Sequence, residues 1–166
     1  MADDGFGGVT LASEPLCVAD FRVEGGIITM GRSPFGEQRV GYVSGGSFEG
    51  PRLKGEILPG GGNWPRSGTL SNGAAAGTFD ARAVWRTHDG ATIYLTYTGR
   101  SMVPADVAAA FRDPNAPPVD PARYFLRVAM VFETGDARYE WLNTVLAIGV
   151  GERMPFGVRH RVFAIL

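Results

Sequence analysis

The chain has 166 residues, 16 of them basic and 17 acidic, which gives a formal net charge of −1. This balance, without a run of basic residues, excludes the electrostatic footprint typical of proteins that bind nucleic acid or anionic membranes. The length suits one domain over residues 1–166, which can fold without a disulfide or a structural metal. We expect residues 1–12 to form a flexible N-terminus.

The N-terminal segment and the cysteine content indicate the compartment. The segment is acidic and lacks the positive and apolar regions of a signal peptide, and no apolar run approaches the ~20 residues of a transmembrane helix. The single Cys17 has no partner for an internal disulfide, so we expect it to pack as a small apolar side chain. The sequence therefore predicts a cytoplasmic protein.

Short alternating runs rich in Val, Ile, Thr, Tyr and Phe follow one another along the chain, separated by many of its 24 glycines. This pattern predicts an all-β protein. A tight turn at Asp89-Gly90 is expected to join two strands as a hairpin, because a primed turn requires positive φ. The predicted strands are Leu16–Val23, Ile27–Met30, Arg39–Phe48, Arg52–Leu58, Thr78–His88, Ala91–Tyr97, Arg123–Glu133, Trp141–Val150 and Phe156–Ile165.

Pro104–Phe111 is the one helical candidate, since its alanine-rich stretch favours a helix and the following prolines end it. Eight or nine antiparallel strands with one short helix would leave long open edges that promote aggregation. We therefore predict a closed antiparallel β-barrel of eight to nine strands, with a β-sandwich as the alternative.

The strand Thr78–His88 has two faces, and the position of Arg82 depends on which of them points into the barrel. If the face that carries Trp85 points outward, Arg82 enters the lumen; if it points inward, Arg82 is solvated. The alternation of side chains along the strand leaves both orientations open, and a solvated arginine is the commoner arrangement. Phe79, Ala81, Ala83 and Trp85 share one face, and Asp80, Arg82, Val84, Arg86 and His88 share the other.

A glycine-rich loop over residues 59–65 allows close backbone approach to another group. It lacks the Lys-Ser/Thr of a phosphate-binding loop, and the chain lacks a dinucleotide fingerprint. The loop carries Asn63 and Trp64. It is either the lip of a ligand site or a barrel turn with a packing tryptophan.

A second candidate region lies between residues 132 and 143. Glu133 ends a strand and, if it is shielded from water, can act as an acid or base near neutral pH; a salt bridge to an arginine is the ordinary alternative. Tyr139, Trp141 and Asn143 share one face of the next predicted strand and offer a hydroxyl, an apolar wall and an amide. The alternative is that Trp141 belongs to the core and Asn143 closes a turn.

His88 and His160 are the only histidines, and neither has the spacing of a metal-binding motif, so we expect no metal site. The Gly-x-Ser-x-Gly motif is also absent, which argues against a serine triad.

Three blocks of the sequence form a pattern that extends over most of the chain. The first is Gly-Gly-Ser-Phe-Glu-Gly-Pro-Arg-Leu-Lys-Gly at 45–55 with Pro-Gly-Gly-Gly-Asn-Trp at 59–64. The second comprises Asp80, Arg82 and residues 87–94, and the third Phe132-Glu133-Thr134 with residues 139–143. Together they resemble domain-of-unknown-function family 3237, a family of uncharacterised bacterial proteins. The resemblance implies a small β-barrel similar to the lipocalin or allene-oxide-cyclase type.

The chain departs from this family at one position. Asn63 stands where the family usually carries an aspartate before Trp64, and an amide cannot transfer a proton. Either the natural function does not need the acid, or Asn63 is a substitution that retains a ligand.

We expect a cofactor-independent enzyme that binds an apolar, oxygenated small molecule, aromatic or polyketide-like, in the barrel. Its chemistry would be elimination, isomerisation or cyclisation by acid–base catalysis. Glu133 would move the proton, Arg82 would stabilise negative charge, and Asn63 and Asn143 would orient carbonyl oxygens. The ligand-binding residues would be Trp64, Trp141, Asn143, Tyr139 and Phe48. The alternatives are a non-catalytic binding barrel and an oligomeric structural protein; a homodimer would fit a small barrel.

Overall fold

The computed structural model describes residues 8–113 and 115–166, so residues 1–7 of the expected flexible N-terminus lie outside the described residues. In this part of the chain no helix is long and apolar enough to cross a membrane. The helical elements are α1 (Ala105–Ala110) and two 3-10 helices, Pro121–Arg123 and Glu140–Thr144. The strands are β1 (Ser13–Arg22), β2 (Ile28–Ser33), β3 (Gly36–Tyr42), β4 (Gly45–Glu49), β5 (Lys54–Ile57), β6 (Gly62–Asn63), β7 (Arg66–Thr69), β8 (Ala75–Thr87), β9 (Thr92–Val103), β10 (Phe125–Glu133), β11 (Leu146–Met154) and β12 (Gly157–Ile165).

Eight of the strands close into an antiparallel barrel. Their order is β8-β5-β4-β1-β12-β11-β10-β9, and β9 pairs with β8 to complete the ring. Closure satisfies the backbone groups that open edges would leave unpaired. The predicted closed barrel with one short helix is therefore confirmed. The barrel end where β1 and β9 finish and β8 begins is called the upper end, and the opposite one the lower end.

A second, smaller sheet branches from the upper half of β8. The lower half of β8 pairs with β5, whereas its upper half pairs with β6 and β7. Strand β3 pairs with β6, β7 and β2 and so extends the branch away from the barrel. The glycine-rich loop thus contributes β6, one of two short strands that the sequence pattern did not reveal.

The barrel interior is filled by side chains from the inward faces of the strands. Trp85 of β8 lies at its centre, stacked on Phe48 with ring centroids 4.3 Å apart, and Phe21 and Phe132 pack around it. Cys17 is buried in the same core, where desolvation raises the pKa of its thiol to about 12. Its expected role as a small apolar side chain is confirmed.

Three local predictions are wrong. The strand predicted at Arg39–Phe48 is two strands, β3 and β4, separated at Val43 and Ser44; β4 then begins with Gly45 and Gly46, whose positive φ values favour glycine. The strand predicted at Trp141–Val150 begins only at Leu146, since the preceding residues form a 3-10 helix. The hairpin predicted at Asp89-Gly90 is confirmed by the pairing of β8 with β9, but its turn type is not: only Gly90 has positive φ and the Thr87 N–H donates to Ala91 O, so the turn is longer than a two-residue primed turn.

Candidate functional site

The lower end of the barrel is closed by the 3-10 helix Glu140–Thr144. Leu142 of this helix is fully buried in the core. The Asn143 amide ties the helix to β10, because Oδ1 accepts the Thr134 N–H at 2.8 Å and Nδ2 donates to Thr134 O at 3.0 Å. Both ends of this amide are therefore used to close a turn, the alternative that the sequence left open.

Tyr139 takes part in a polar network at the same end. Its hydroxyl donates to Asp89 Oδ1 at 3.0 Å, and Thr87 Oγ1 donates to the same oxygen at 2.5 Å. The hydrogen bond from Thr87 is the main cause that lowers the pKa of Asp89, with smaller contributions from Tyr139 and Arg138. The network joins the β8–β9 turn to the segment before the 3-10 helix, so the second and third family blocks meet here.

Trp141 is half-buried and packs against the core. The guanidinium carbon of Arg52 lies 3.8 Å from the centroid of its ring, a cation–π contact. Arg52 therefore covers one face of this indole, so that this face is not free to contact a ligand.

Glu133 and Arg82 both lie on the outer face of the barrel. Glu133 is exposed and lines a shallow outer groove of about 520 Å³ with Val84 and Tyr94, so the shielding from water that acid–base chemistry would need is absent. The Arg82 side chain is 48% exposed and pairs with Asp80 at 3.0 Å. The face of β8 that carries Trp85 points into the barrel, so Arg82, on the opposite face, is exposed to solvent.

Asn63 and Trp64 lie near each other on the branch sheet. Asn63 Oδ1 accepts the Asp80 N–H at 3.1 Å, and an aspartate at this position could accept the same hydrogen bond. Trp64 is 38% exposed, and its indole ring lies over Gly62. Phe48 lies apart from both, buried beneath Trp85. The structure thus distributes the predicted site residues over the lower end, the outer face, the branch sheet and the core, and their functional roles stay predictions.

His160 is a polar side chain of the lumen that sequence reasoning did not select. It is 1% exposed, and its ring centroid lies 5.8 Å from that of Phe21 and 5.6 Å from that of Tyr97. Burial lowers the pKa of His160 to about 4, so the ring is neutral at pH 7. Burial also raises the pKa of Tyr97.

The backbone of β11 makes room for this histidine. Gly151 is the register partner of His160, and a Cβ at Gly149 would lie 3.2 Å from His160 Nδ1. Two signals in the sequence could have identified the residue: a histidine in register with Val158, Val162 and Ala164 on an otherwise apolar strand face, and alternate glycines in the preceding strand.

Three buried side-chain polar atoms lack a hydrogen-bond partner within residues 8–113 and 115–166: Ser44 Oγ, Trp85 Nε1 and His160 Nδ1. Such atoms are rare because each costs desolvation energy. Two of them belong to rings that contact Phe21, whose centroid lies 6.2 Å from that of Trp85 and 5.8 Å from that of His160. Two unpartnered polar atoms therefore belong to rings that pack against the same phenyl group.

Side chains at the upper end of the barrel are less buried than those deeper in the core. Phe79, Leu126 and Val158 pack on the core from the inward faces of β8, β10 and β12 but are only partly buried. Trp85 and Met130, deeper in the barrel, are fully buried. The barrel is thus closed below and lined above by half-buried apolar side chains.

Comparison with known proteins places the chain among barrels without an assigned reaction. Residues 12–165 match the family described as protein of unknown function (DUF3237). A UPF0311 protein of Rhodopseudomonas palustris is 28% identical over 131 residues, which cover 78% of this chain and 80% of the relative. A crystal structure of a Rhodopseudomonas palustris protein of unknown function aligns with a TM-score of 0.83 and 26% identity, covering 95% of this chain and 99% of the other.

Two further structures share the architecture. A beta-barrel like protein from Acinetobacter baumannii is 30% identical with a TM-score of 0.79, covering 97% of this chain and 99% of its own. An enzyme from Penicillium herquei aligns with a TM-score of 0.62 over 95% of this chain and 96% of its own, but at 22% identity the likeness concerns the fold alone.

Proposed function

We propose that this chain, which belongs to the DUF3237 family of proteins of unknown function, is an enzyme that moves a proton on an apolar, oxygenated small molecule without a cofactor. The substrate would enter the barrel from its upper end. The observation that carries this proposal is the pair of unpartnered polar atoms, His160 Nδ1 and Trp85 Nε1, on two buried rings that both contact Phe21. A bound ligand with a carbonyl oxygen and a hydroxyl group would satisfy both, because the Trp85 Nε1–H would donate to the carbonyl oxygen and the hydroxyl would donate to His160 Nδ1.

The two atoms have complementary chemistry. A neutral imidazole with its proton on Nε2 presents a lone pair at Nδ1, and the indole Nε1–H is a donor only. The proposed reaction requires that a carbonyl oxygen held by the Trp85 Nε1–H places the adjacent C–H against His160 Nδ1. Removal of that proton by Nδ1 would send the electron pair to the carbonyl oxygen as an enolate, and return of the proton at another carbon would complete an isomerisation.

Phe21 determines what class of molecule fits. Its ring makes edge-on contacts with Tyr97 and His160 and a tilted contact with Trp85. We propose that Phe21 rotates out of its position when a ligand binds. An aromatic or other flat ring could then replace the phenyl contacts, which supports an aromatic or polyketide-like substrate.

The buried environment supports the proposed base. His160 is neutral at pH 7 because burial lowers its pKa to about 4, so it needs no deprotonation before it accepts a proton. A base with so low a pKa is weak in water, but an apolar lumen strengthens the interaction of the resulting imidazolium with an enolate.

A second candidate function is a binding barrel without catalysis. It is favoured by the absence of any buried carboxylate in the described part of the chain, where Thr87, Thr134 and His160 are the buried polar residues. In that case His160 and Trp85 would only hold the oxygen atoms of a ligand.

Deuterium incorporation distinguishes these functions. Aryl ketones, 1,3-diketones and phenols are incubated with the protein in D₂O, binding is detected by native mass spectrometry, and exchange of carbon-bound protons by NMR. We expect exchange with the native chain, loss of exchange but retained binding in His160→Gln, and loss of binding in Phe21→Trp, which overfills the lumen. Binding without exchange by the native chain would favour the binding barrel.

A further inference from the structure

A contiguous apolar surface lies on the outer face of β10, β11 and β12. We call it the outer apolar face, and it consists of Ala129, Val131, Leu146, Ile148, Phe163 and Ile165. Val131 and Leu146, opposite each other in register, are 49% and 50% exposed. A shallow groove of about 360 Å³, bordered by Leu11, opens between Ile148, Phe163 and Ile165.

The residues of this face are neighbours in register rather than scattered over the surface. Three strands span about 10 Å across, and two side-chain rows with their flanks occupy about 20 Å along β10, an area on the order of 200 Å². Val131 and Leu146 are about half exposed, so a partner that covers them would remove apolar surface from water.

Opposite charges flank the face along β10. Arg127 lies at its upper border and Glu133 at its lower border, six residues apart and both on the outward side. Neither forms an ion pair among the described residues: the Arg127 guanidinium donates to Leu126 O at 2.9 Å, and Glu133 is exposed. Arg127 also faces Arg100 in register, a like-charge pair that is unfavourable without a nearby anion.

We propose that the outer apolar face binds a second copy of this chain about a two-fold axis. The axis lies in the plane of the face, perpendicular to the strands and level with Met130, midway between Arg127 and Glu133. Rotation about it brings Arg127 of each copy opposite Glu133 of the other, and so provides the carboxylate that the Arg100–Arg127 pair lacks.

The same rotation matches the apolar rows. One row contains Ala129, Ile148 and Phe163, and the next contains Val131, Leu146 and Ile165. Because the axis runs between the rows, each row of one copy faces the other row of its partner. Every contact in the centre is then apolar on apolar, as an isologous interface requires.

Reversal of the two charges tests this geometry. The oligomeric state of the full chain is measured by sedimentation velocity over a range of concentrations, for the native chain, Arg127→Glu, Glu133→Arg and the double variant. The exposed Arg32→Glu on β2, outside the outer apolar face, serves as a control for the change in net charge. Thermal unfolding of each variant establishes that it is folded.

We expect the native chain and the control to be dimers. Each single variant would place two pairs of like charges in the interface and weaken dimerisation by about tenfold or more. The double variant restores both pairs and should return to within about threefold of the native dissociation constant. A monomeric native chain, single variants that dimerise normally, or a double variant no better than the singles would overturn the proposal. The inference does not depend on the proposed function.

Discussion

Tyr97 and His160 face each other inside the barrel with ring centroids 5.6 Å apart, and both are at most 4% exposed. No charged side chain is buried beside them in the described residues, so their pKa values are set by desolvation alone. His160 consequently remains neutral in the folded protein over a pH range in which the unfolded chain binds a proton.

The stability of the protein should therefore depend on pH through His160. The folded pKa of about 4 lies below the unfolded value of 6.5. Between these values the unfolded state binds more protons, so stability falls as the pH drops from 6.5 towards 4, by roughly 3 kcal/mol in total. Urea unfolding from pH 7 to pH 4.5 should show this loss in the native chain and in His88→Gln, and a smaller slope in His160→Gln. Equal slopes in all three would contradict a buried neutral His160.

Asn143 should contribute to stability through its bridge to Thr134. Asn143→Ala removes both hydrogen bonds and leaves the Thr134 N–H and C=O unpaired, which should cost about 1–3 kcal/mol in urea unfolding. Asn143→Asp keeps the acceptor for the Thr134 N–H but loses the donor to its carbonyl, so its loss should be intermediate. A full loss of substrate binding without a loss of stability in Asn143→Ala would instead favour the ligand-orienting role predicted from the sequence.

Gly55, part of the first family block, should be indispensable for packing. A Cβ at this position would overlap the carbonyl oxygen of Arg86 and approach the Phe48 ring to 2.8 Å. Because the clash is with backbone, Gly55→Ala should destabilise by about 2 kcal/mol or more, or prevent folding. Gly68→Ala is the matched control, since no atom lies within 4 Å of its Cβ position and its φ is not positive; its melting temperature should stay near the native value.

Asn63→Asp should leave the stability nearly unchanged, because a carboxylate can accept the Asp80 N–H as the amide oxygen does. Asn63→Ala leaves that N–H without its acceptor and should lower the free energy of unfolding by about 1 kcal/mol. If Asn63→Asp altered proton exchange on a substrate while keeping the native stability, the acid at this position would have a catalytic role in relatives that carry it.

The barrel itself was predictable because short alternating strands, abundant glycine and a single helix leave few other ways to satisfy the strand edges. The lower end was not, because Tyr139, Trp141 and Asn143 occur at alternate positions as they would on a strand. There the burial of Leu142 at the lower end of the barrel overrides the alternating pattern of these residues, and the segment forms a 3-10 helix. The alternation of side chains could not place Arg82, since the apolar face that carries Trp85 could point either into the lumen or outward against covering segments.

His160 was missed for a different reason. Motif spacing identifies sites in which several polar groups come from neighbouring positions in the sequence. This histidine instead contacts Phe21 and Tyr97, which are far from it in the sequence. The apolar strand face and the alternate glycines of the preceding strand are the signals that could have identified it, and the register of β12 with β1 and β11 shows that its side chain enters the lumen.

Deuterium exchange on a bound carbonyl compound, measured for the native chain, His160→Gln and Glu133→Gln, tests the proposed function most directly. We predict exchange above the rate in buffer for the native chain and for Glu133→Gln, and exchange at the buffer rate for His160→Gln. Exchange that persists in His160→Gln but disappears in Glu133→Gln would contradict a lumenal site and return the chemistry to the outer face.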